Sequence, residues 1–381
     1  MDPKRSESEE AGGAFAASPL VVIWEVSRAC DLACVHCRAS AIPDRDPLEL
    51  STGEAQAFIR TLRGFGRPVF VLTGGDPLKR PDIGTLVETA VGEGLPTYLS
   101  PSGTPLLTYA ALRGLRQAGL AGVSISLDGS TPLGHDAFRG VRGSFDWSLE
   151  GAAAAAALGL RLQINTTVTR HNLHDLRAIA QLVGGLEARR WTLFLLVPTG
   201  RGRSEQQITP AECEAVFEWL YDLSHTAPFR IKTTEGPHYR RVVLQRQAER
   251  TGATGATGPA SALAASRTVS GGGRFVPGLH DGSGFLFLSA RGEIQPSGFL
   301  PLTAGNVRSD SPVEMYRNHP LFRALRDPER LGGRCGACEF RRACGGSRAR
   351  AFAATGDFLS EDPLCGYVPR GGPALLPRSA A

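Results

Sequence analysis

Short apolar runs alternate with amphipathic stretches over the first two thirds of the chain. The runs are rich in Val, Ile, Leu and Phe and predict strands, whereas the stretches between them have the spacing of helices. Capping boxes open two of these helices, one at Ser51 with Glu54 and one at Thr209 with Glu212. Alternating strands and helices imply a parallel sheet, which is either doubly wound or an incomplete barrel of six β/α units. The predicted strands are 21–27, 68–74, 97–100, 122–128, 160–168 and 191–197, and the other helices are 81–93, 108–119, 145–158 and 172–188.

Unusual residues follow the ends of several predicted strands. A loop with three cysteines follows the first strand, Gly74–Pro77 follows the second, and Asp128 follows the fourth. Arg201 and Arg203 lie in the loop after the sixth strand, either to bind a carboxylate or as part of an ordinary surface loop. Parallel β/α folds carry their active sites at the C-terminal ends of their strands. We therefore expect these loops to form one site.

The last third of the chain has a different character. Residues 251–273 are a low-complexity run of Gly, Ala, Ser and Thr, which is typical of a flexible linker. Beyond it, two short apolar runs around Arg291-Gly292 predict a hairpin. The predicted organisation is a disordered N-terminus at 1–18, a core domain at 19–240, a linker or insert at 241–274, a small second domain at 275–370 and a tail at 371–381.

Composition and charge narrow the possible partners. The 381 residues are 42% hydrophobic and 21% charged, as in globular proteins, and the net charge of +5 comes from bases spread along the chain. A nucleic-acid groove needs a clustered basic patch, so we expect no nucleic-acid partner. No apolar run reaches the length of about 20 residues that spans a bilayer. The polar N-terminus lacks a signal-peptide core, and we expect a cytoplasmic protein.

Eight cysteines carry most of the chemical information. Seven fall in two groups, and Cys213 stands alone in an amphipathic helix, where we expect a buried core thiol. Clustered cysteines in a cytoplasmic chain indicate a metal site, and thiolates suit zinc or iron–sulfur clusters. The first group is Cys30, Cys34 and Cys37, with C-x3-C-x2-C spacing, and the second is Cys335, Cys338, Cys344 and Cys365.

Three ligands are one fewer than a cubane cluster usually has. The first group therefore leaves one iron of a 4Fe–4S cluster free for another ligand. A zinc site with His36 as fourth ligand is the alternative, but His36 is adjacent to Cys37, which is a poor spacing for chelation. The second group has a complete set of four, which suits either zinc or a fully ligated 4Fe–4S cluster.

The first group after the first β-strand resembles the radical S-adenosylmethionine (SAM) enzymes, over about residues 18–230. This resemblance implies a partial (β/α)6 TIM-type barrel in which Cys30, Cys34 and Cys37 hold a 4Fe–4S cluster that binds SAM. Reductive cleavage of SAM would then yield a 5′-deoxyadenosyl radical, which abstracts hydrogen from the substrate. The family's SAM-binding elements correspond to Gly74, Gly75, Asp76 and Pro77 and to Ser124, Ser126 and Asp128, with Ser102 and Asn165 as further candidates.

The second group resembles the C-terminal SPASM region of radical SAM maturases and haem-pathway enzymes. The resemblance implies that Cys335, Cys338, Cys344 and Cys365 hold an auxiliary 4Fe–4S cluster. Full SPASM domains hold a second auxiliary cluster, but Ser297 and Ser347 stand where two of its cysteines would be. Serine is a poor substitute for thiolate on iron, so we expect two clusters in all, and a small twitch-like C-terminal domain.

The resemblance is strongest to the haem and haem d1 subgroup. It implies as substrate a tetrapyrrole, or else the precursor of a ribosomal peptide or of a redox cofactor, and it implies a flavodoxin- or ferredoxin-type electron donor. The segment ahead of the first strand is too short for a winged-helix peptide-recognition element, which favours the tetrapyrrole. Residues 233–241 either line the substrate pocket, with Arg240 and Arg241 binding carboxylates, or connect the domains. Two alternatives to an enzyme are a non-catalytic scaffold protein stabilised by zinc and an iron–sulfur electron-transfer protein.

Overall fold

A computed structural model describes residues 15–250 and 279–370. Ten strands in these ranges form one sheet, in the order β10-β9-β8-β1-β2-β3-β4-β5-β6-β7. All pairings among β1 to β8 are parallel, whereas β9 pairs antiparallel with β8 and β10 pairs antiparallel with β9. The strands are β1 Val21–Ser27, β2 Val69–Gly74, β3 Thr97–Leu99, β4 Gly122–Ser126, β5 Arg161–Val168, β6 Arg190–Leu195, β7 Arg230–Thr234, β8 Phe285–Leu288, β9 Glu293–Gln295 and β10 Gly305–Asn306.

Helices cover the outer face of the parallel strands. The capping boxes at Ser51 and Thr209 are both formed, which confirms the two predicted helix starts. Within the described ranges the helices are α1 Thr52–Thr61, α2 Ile83–Gly92, α3 Tyr109–Gln117, α4 Pro132–Arg139, α5 Ser144–Ala157, α6 Leu176–Gly185, α7 Pro210–Leu223, α8 His238–Arg250, α9 Pro312–Asn318, α10 Pro320–Leu325, α11 Gly333–Ala337 and α12 Arg348–Thr355.

Successive side chains of each strand alternate between an apolar outer face, which packs against the helices, and a more polar inner face. Val22, Trp24 and Val26 of β1 are fully buried, and Trp24 meets Phe58 of α1 with ring centroids 5.8 Å apart. Because successive side chains of a strand point to opposite faces, Glu25 faces the interior of the barrel. The fold is thus the predicted partial barrel, with its core between sheet and helices. No helix of the described ranges is long and apolar enough to cross a membrane.

Three elements differ from the sequence prediction. A seventh parallel strand, β7, pairs with β6, and α4 precedes the predicted helix after β4. The predicted linker 241–274 begins inside α8, where Val242, Val243 and Leu244 are buried against the core. The low-complexity run 251–273, most of the predicted disordered N-terminus and the tail at 371–381 lie outside the described residues.

The predicted hairpin joins the barrel rather than standing apart from it. Strand β8 lies parallel to β1, with Phe285 opposite Val21, and β9 returns antiparallel to β8. Strand β7 is the other end of the sheet and is not hydrogen-bonded to β8. The described barrel is therefore open along one seam between β7 and β8.

Candidate iron–sulfur and cofactor site

The cysteine loop follows β1 and is held by backbone hydrogen bonds on two sides. The amide of Cys30 donates to Ile42 O at 2.8 Å. The amides of Ala33 and Val35 each donate at 3.1 Å to the last carbonyls of α4, those of Arg139 and Phe138. Helix α4 was absent from the sequence prediction, and it fixes the middle of the loop that carries the first cysteine group.

The Gly74–Pro77 segment packs directly on the cysteine loop. The amides of Gly75 and Asp76 donate to Ser27 O at 2.8 Å and to Ala29 O at 2.6 Å. A Cβ on Gly75 would stand 2.5 Å from Ala29 O, and one on Gly74 would stand 2.2 Å from Ser27 O. Both glycines are therefore needed for close backbone approach to the cysteine loop, in addition to any approach to a ligand.

Asp76 is fully buried, and its carboxylate points into the protein. It accepts hydrogen bonds from Thr104 Oγ1 at 2.7 Å and from the amide of Leu78 at 3.1 Å, and burial raises its pKa. In this position the carboxylate orders the loop. Ser102 lies beside it, with its hydroxyl 2.6 Å from Gly75 O and 3.4 Å from the sulfur of Cys30.

The candidate SAM-binding residues on β4 and just after it differ in their surroundings. Ser124 and Ser126 are half-buried at alternate positions of β4, on the inner face of the barrel, and Ser126 pairs in register with Asn165 of β5. Asp128 is fully buried beyond the strand, and one of its oxygens accepts a hydrogen bond from the amide of Thr167 at 2.6 Å. The two serines thus face the interior of the barrel, whereas the Asp128 carboxylate is fully buried and engaged by protein groups.

The Asp128 carboxylate positions the guanidinium of Arg139 against the cysteine loop. Its other carboxylate oxygen pairs with the guanidinium of Arg139, which also lies 3.8 Å from the sulfur of Cys34. Burial alone would lower the pKa of Arg139, but Asp128 and Cys34 raise it overall, so the guanidinium stays charged. The sequence prediction missed Arg139, because no local pattern links residue 139 to residues 34 and 128.

The chemistry of the first group suits an iron–sulfur cluster. Burial raises the pKa of Cys30 and Cys34, so their thiolate forms need a compensating cation such as iron. Within the described ranges, no three His, Cys, Asp or Glu side chains converge closely enough for a single metal ion. Cubane clusters need wider separation, because each thiolate binds a different iron. His36, the alternative zinc ligand, stacks on Phe138 with ring centroids 4.2 Å apart.

The second cysteine group surrounds one cavity in the C-terminal region. Backbone amides approach the sulfurs of this group, a pattern that stabilises thiolates bound to iron. The donors are Asp362 N to Cys335 at 3.4 Å, Phe340 N to Cys338 at 3.4 Å, and Gly346 N to Cys344 at 3.5 Å. The four lining cysteines are Cys335, Cys338, Cys344 and Cys365.

Arginines surround this cavity, and three of them are paired with glutamates: Arg241 with Glu214, Arg334 with Glu361 and Arg341 with Glu329. Arg241, Arg334 and Arg341 line it, and the fully buried Arg348 lies 3.6 Å from the sulfur of Cys335. Four thiolates around a 4Fe–4S cluster leave a net negative charge that the buried Arg348, which donates to the carbonyls of Phe358 and Ser360, would offset. The residues present therefore fit a fully ligated cluster.

Ser297 and Ser347 have structural roles. Ser297 Oγ accepts hydrogen bonds from the amides of Phe299 at 3.2 Å and Leu300 at 3.3 Å. Ser347 caps α12 through the amide of Arg350 at 3.0 Å, and its hydroxyl donates to Glu235 at 2.5 Å. Both hydroxyls are engaged by protein groups. Cys213 is buried in the core of α7, as predicted.

The fold and the cysteine loop define a class of enzyme. Residues 24–183 match the Radical SAM superfamily. The chain is 42% identical over 92% of its length, and 93% of the relative's, to the AdoMet-dependent heme synthase of Nitratidesulfovibrio vulgaris (strain Hildenborough). Identity to the AdoMet-dependent heme synthase of Methanosarcina barkeri (strain Fusaro) is 38%, over 92% of this chain and 97% of that one.

Comparison with solved structures supports the same fold. Streptococcus suis SuiB bound to S-adenosylmethionine aligns with a TM-score of 0.69 at 15% identity, over 92% of this chain and 78% of that one. The chain therefore belongs to the radical SAM superfamily. It is an enzyme that uses SAM and a 4Fe–4S cluster.

Proposed function

We propose that this enzyme is a haem synthase, which converts propionate side chains of an iron porphyrin into vinyl groups. The observation that carries the proposal is its 42% identity to an AdoMet-dependent heme synthase over nearly the whole of both chains. The single auxiliary cysteine group supports it, because the reaction releases an electron that needs an acceptor. In this proposal the core domain extends through α8 and includes the hairpin strands β8 and β9, and the auxiliary cysteines lie beyond them in the chain.

Cys30, Cys34 and Cys37 hold the SAM-binding cluster in this proposal. When bound, that cluster reduces SAM by one electron and so supplies a 5′-deoxyadenosyl radical. Backbone groups of Gly74–Pro77 and the inward hydroxyls of Ser124 and Ser126 then bind and orient SAM. Asp128 contributes indirectly, because it positions Arg139 beside Cys34.

The proposed reaction balances with one further electron acceptor. A propionate, R–CH2–CH2–COO⁻, becomes R–CH=CH2 by losing carbon dioxide, one hydrogen atom and one electron. The hydrogen atom leaves in 5′-deoxyadenosine. The electron needs a nearby acceptor, and the site of Cys335, Cys338, Cys344 and Cys365 can hold one. A flavodoxin- or ferredoxin-type protein of the cytoplasm would supply the electron that starts each cycle.

The test is anaerobic conversion of iron coproporphyrin III by the cluster-loaded enzyme with SAM and a reductant, followed by mass spectrometry. We expect porphyrin products that lack one carbon dioxide and two hydrogens per reacted propionate, together with 5′-deoxyadenosine. The Cys30→Ala, Cys34→Ala, Cys37→Ala triple variant should form neither product. SAM cleavage with unchanged porphyrin would refute the haem synthase proposal and favour a peptide or redox-cofactor precursor as substrate.

A further inference from the structure

Lys232 places a cation on the inner wall of the barrel, at the open seam. Its neighbour Ile231 packs against the outer core, so Lys232 of β7 points to the other face. The ammonium lies 5.5 Å from the ring centroid of Phe285 on β8. Because β7 and β8 share no hydrogen bonds, this contact crosses the seam between these two strands.

Among the described residues, the charged neighbours of Lys232 are cations. No carboxylate of the described ranges pairs with it, and Arg190 of β6 and Arg240 of α8 are the charged groups that act on it. Burial, helped by these two arginines, lowers the pKa of Lys232 to about 8. Arg190 is exposed at the start of β6, and Arg240 donates to the carbonyls of Leu279 and Ala343, so neither neutralises the ammonium. The positive charge of Lys232 is therefore one that a bound anion would neutralise.

Aromatic side chains line the inner face of the barrel near this seam. Phe194 of β6 approaches Phe299, which follows β9, with ring centroids 6.1 Å apart. Phe287 of β8 faces the same interior, where Arg38 lies 4.8 Å from its ring centroid. Arg38 is already paired with Glu25 at 2.7 Å, so it offers less charge to a ligand than Lys232 does. Phe287 is buried beneath Arg38, so the rings left for a ligand are those of the half-buried Phe194, Phe285 and Phe299. Such rings beside Lys232 match a flat apolar ring that carries carboxylates.

We propose that Lys232 binds a propionate carboxylate of the porphyrin substrate, with the macrocycle lying against the phenylalanines of the seam. This inference rests on the proposed haem synthase function and names the group that anchors the substrate. Phe285 pairs with Val21 at the start of β1, whereas the cysteine loop follows Ser27 at its end. Lys232 therefore lies near the N-terminal ends of β1 and β8, far from the cysteine loop. At this position it would hold the edge of the macrocycle opposite the reacting propionate.

The experiment is an anaerobic titration of the cluster-loaded enzyme with iron coproporphyrin III, followed by difference absorption. A second titration uses its tetramethyl ester, which has no carboxylates. The proposal predicts that Lys232→Ala weakens binding of the free acid roughly 10- to 100-fold, the effect of one charge-assisted contact. Lys232→Arg should restore most of the affinity, and the ester should bind wild type and Lys232→Ala equally.

Arg177 provides a matched control, because it is also a cation on an aromatic ring but lies on the outer helical layer. Its guanidinium is 5.2 Å from the ring centroid of Trp219. Arg177→Ala should leave porphyrin affinity unchanged. Equal affinity of wild type and Lys232→Ala for the free acid would overturn the inference and leave the haem synthase proposal intact. Failure of the wild-type enzyme to bind the porphyrin, with SAM cleavage retained, would overturn both.

Discussion

Replacing Gly75 with alanine tests how the Gly74–Pro77 segment supports the first cluster. The new Cβ would stand 2.5 Å from Ala29 O and 2.6 Å from Arg28 O. Both are backbone atoms of the segment that leads into Cys30, so no side-chain rotation can relieve the contact. The substitution must therefore move either the glycine segment or the cysteine loop.

The size of the effect follows from these distances. Ordinary contact begins at 3.4 Å, so the nearer oxygen must retreat by 0.9 Å (3.4 minus 2.5). Overpacking of this kind costs about 1–3 kcal/mol. Movement would also strain the hydrogen bonds from Gly75 to Ser27 and from Asp76 to Ala29. We expect the first cluster to be lost or loosely held and the second to remain, because its ligands lie elsewhere in the chain.

The assay is iron content, together with electron paramagnetic resonance of the reduced protein, after anaerobic reconstitution. Gly75→Ala should bind about half the iron of wild type, a count that follows from one 4Fe–4S cluster in place of two, and should produce little 5′-deoxyadenosine. Gly53→Ala is the matched control, because nothing lies within 4 Å of its added Cβ. In helix α1 that change should stabilise the protein by about 0.5–1 kcal/mol. Wild-type iron content and SAM cleavage in Gly75→Ala would refute the reasoning.

Three further predictions concern the clusters and the seam. Wild type should hold about eight irons, as two 4Fe–4S clusters require. Cys344→Ala should lose only the irons of the auxiliary cluster. A count near twelve in wild type would contradict a single auxiliary cluster. Arg139→Leu removes a positive charge 3.8 Å from the sulfur of Cys34 and should lower the midpoint potential of the first cluster in a potentiometric titration, whereas Arg139→Lys should change it less. Porphyrin affinity should fall as the pH rises through about 8, because Lys232 loses its proton there while Arg190 and Arg240 stay charged. In Lys232→Arg this fall should disappear, and its persistence would assign the titration to another group.

Much of the barrel was predictable because the sequence patterns that specify its strands and helices involve residues close together in the chain. Six of the parallel strands are apolar runs bounded by turns, and the capping boxes at Ser51 and Thr209 mark helix starts with their own side chains. The cysteine spacing likewise predicted the family, which the comparisons confirm. In each case the residues that carry the signal are near neighbours in the chain.

The elements that were missed depend on distant contacts. Strand β7, with sequence RIKTT, has no apolar run, and it is a strand because β6 pairs with it. Helix α8 is rich in Arg and Gln, yet its Val242 and Val243 pack on the core. The role of Asp128 depends on Arg139, which a separate helix brings to it. Such pairings follow from tertiary packing and leave no periodic trace in the sequence.

The central claim is that the enzyme removes hydrogen from a porphyrin propionate by radical SAM chemistry. The most direct measurement is the isotopic composition of 5′-deoxyadenosine formed with iron coproporphyrin III that carries deuterium on its propionate carbons. The account predicts deuterium in the 5′-deoxyadenosine, together with vinyl-bearing porphyrin. Unlabelled 5′-deoxyadenosine with intact porphyrin would contradict it.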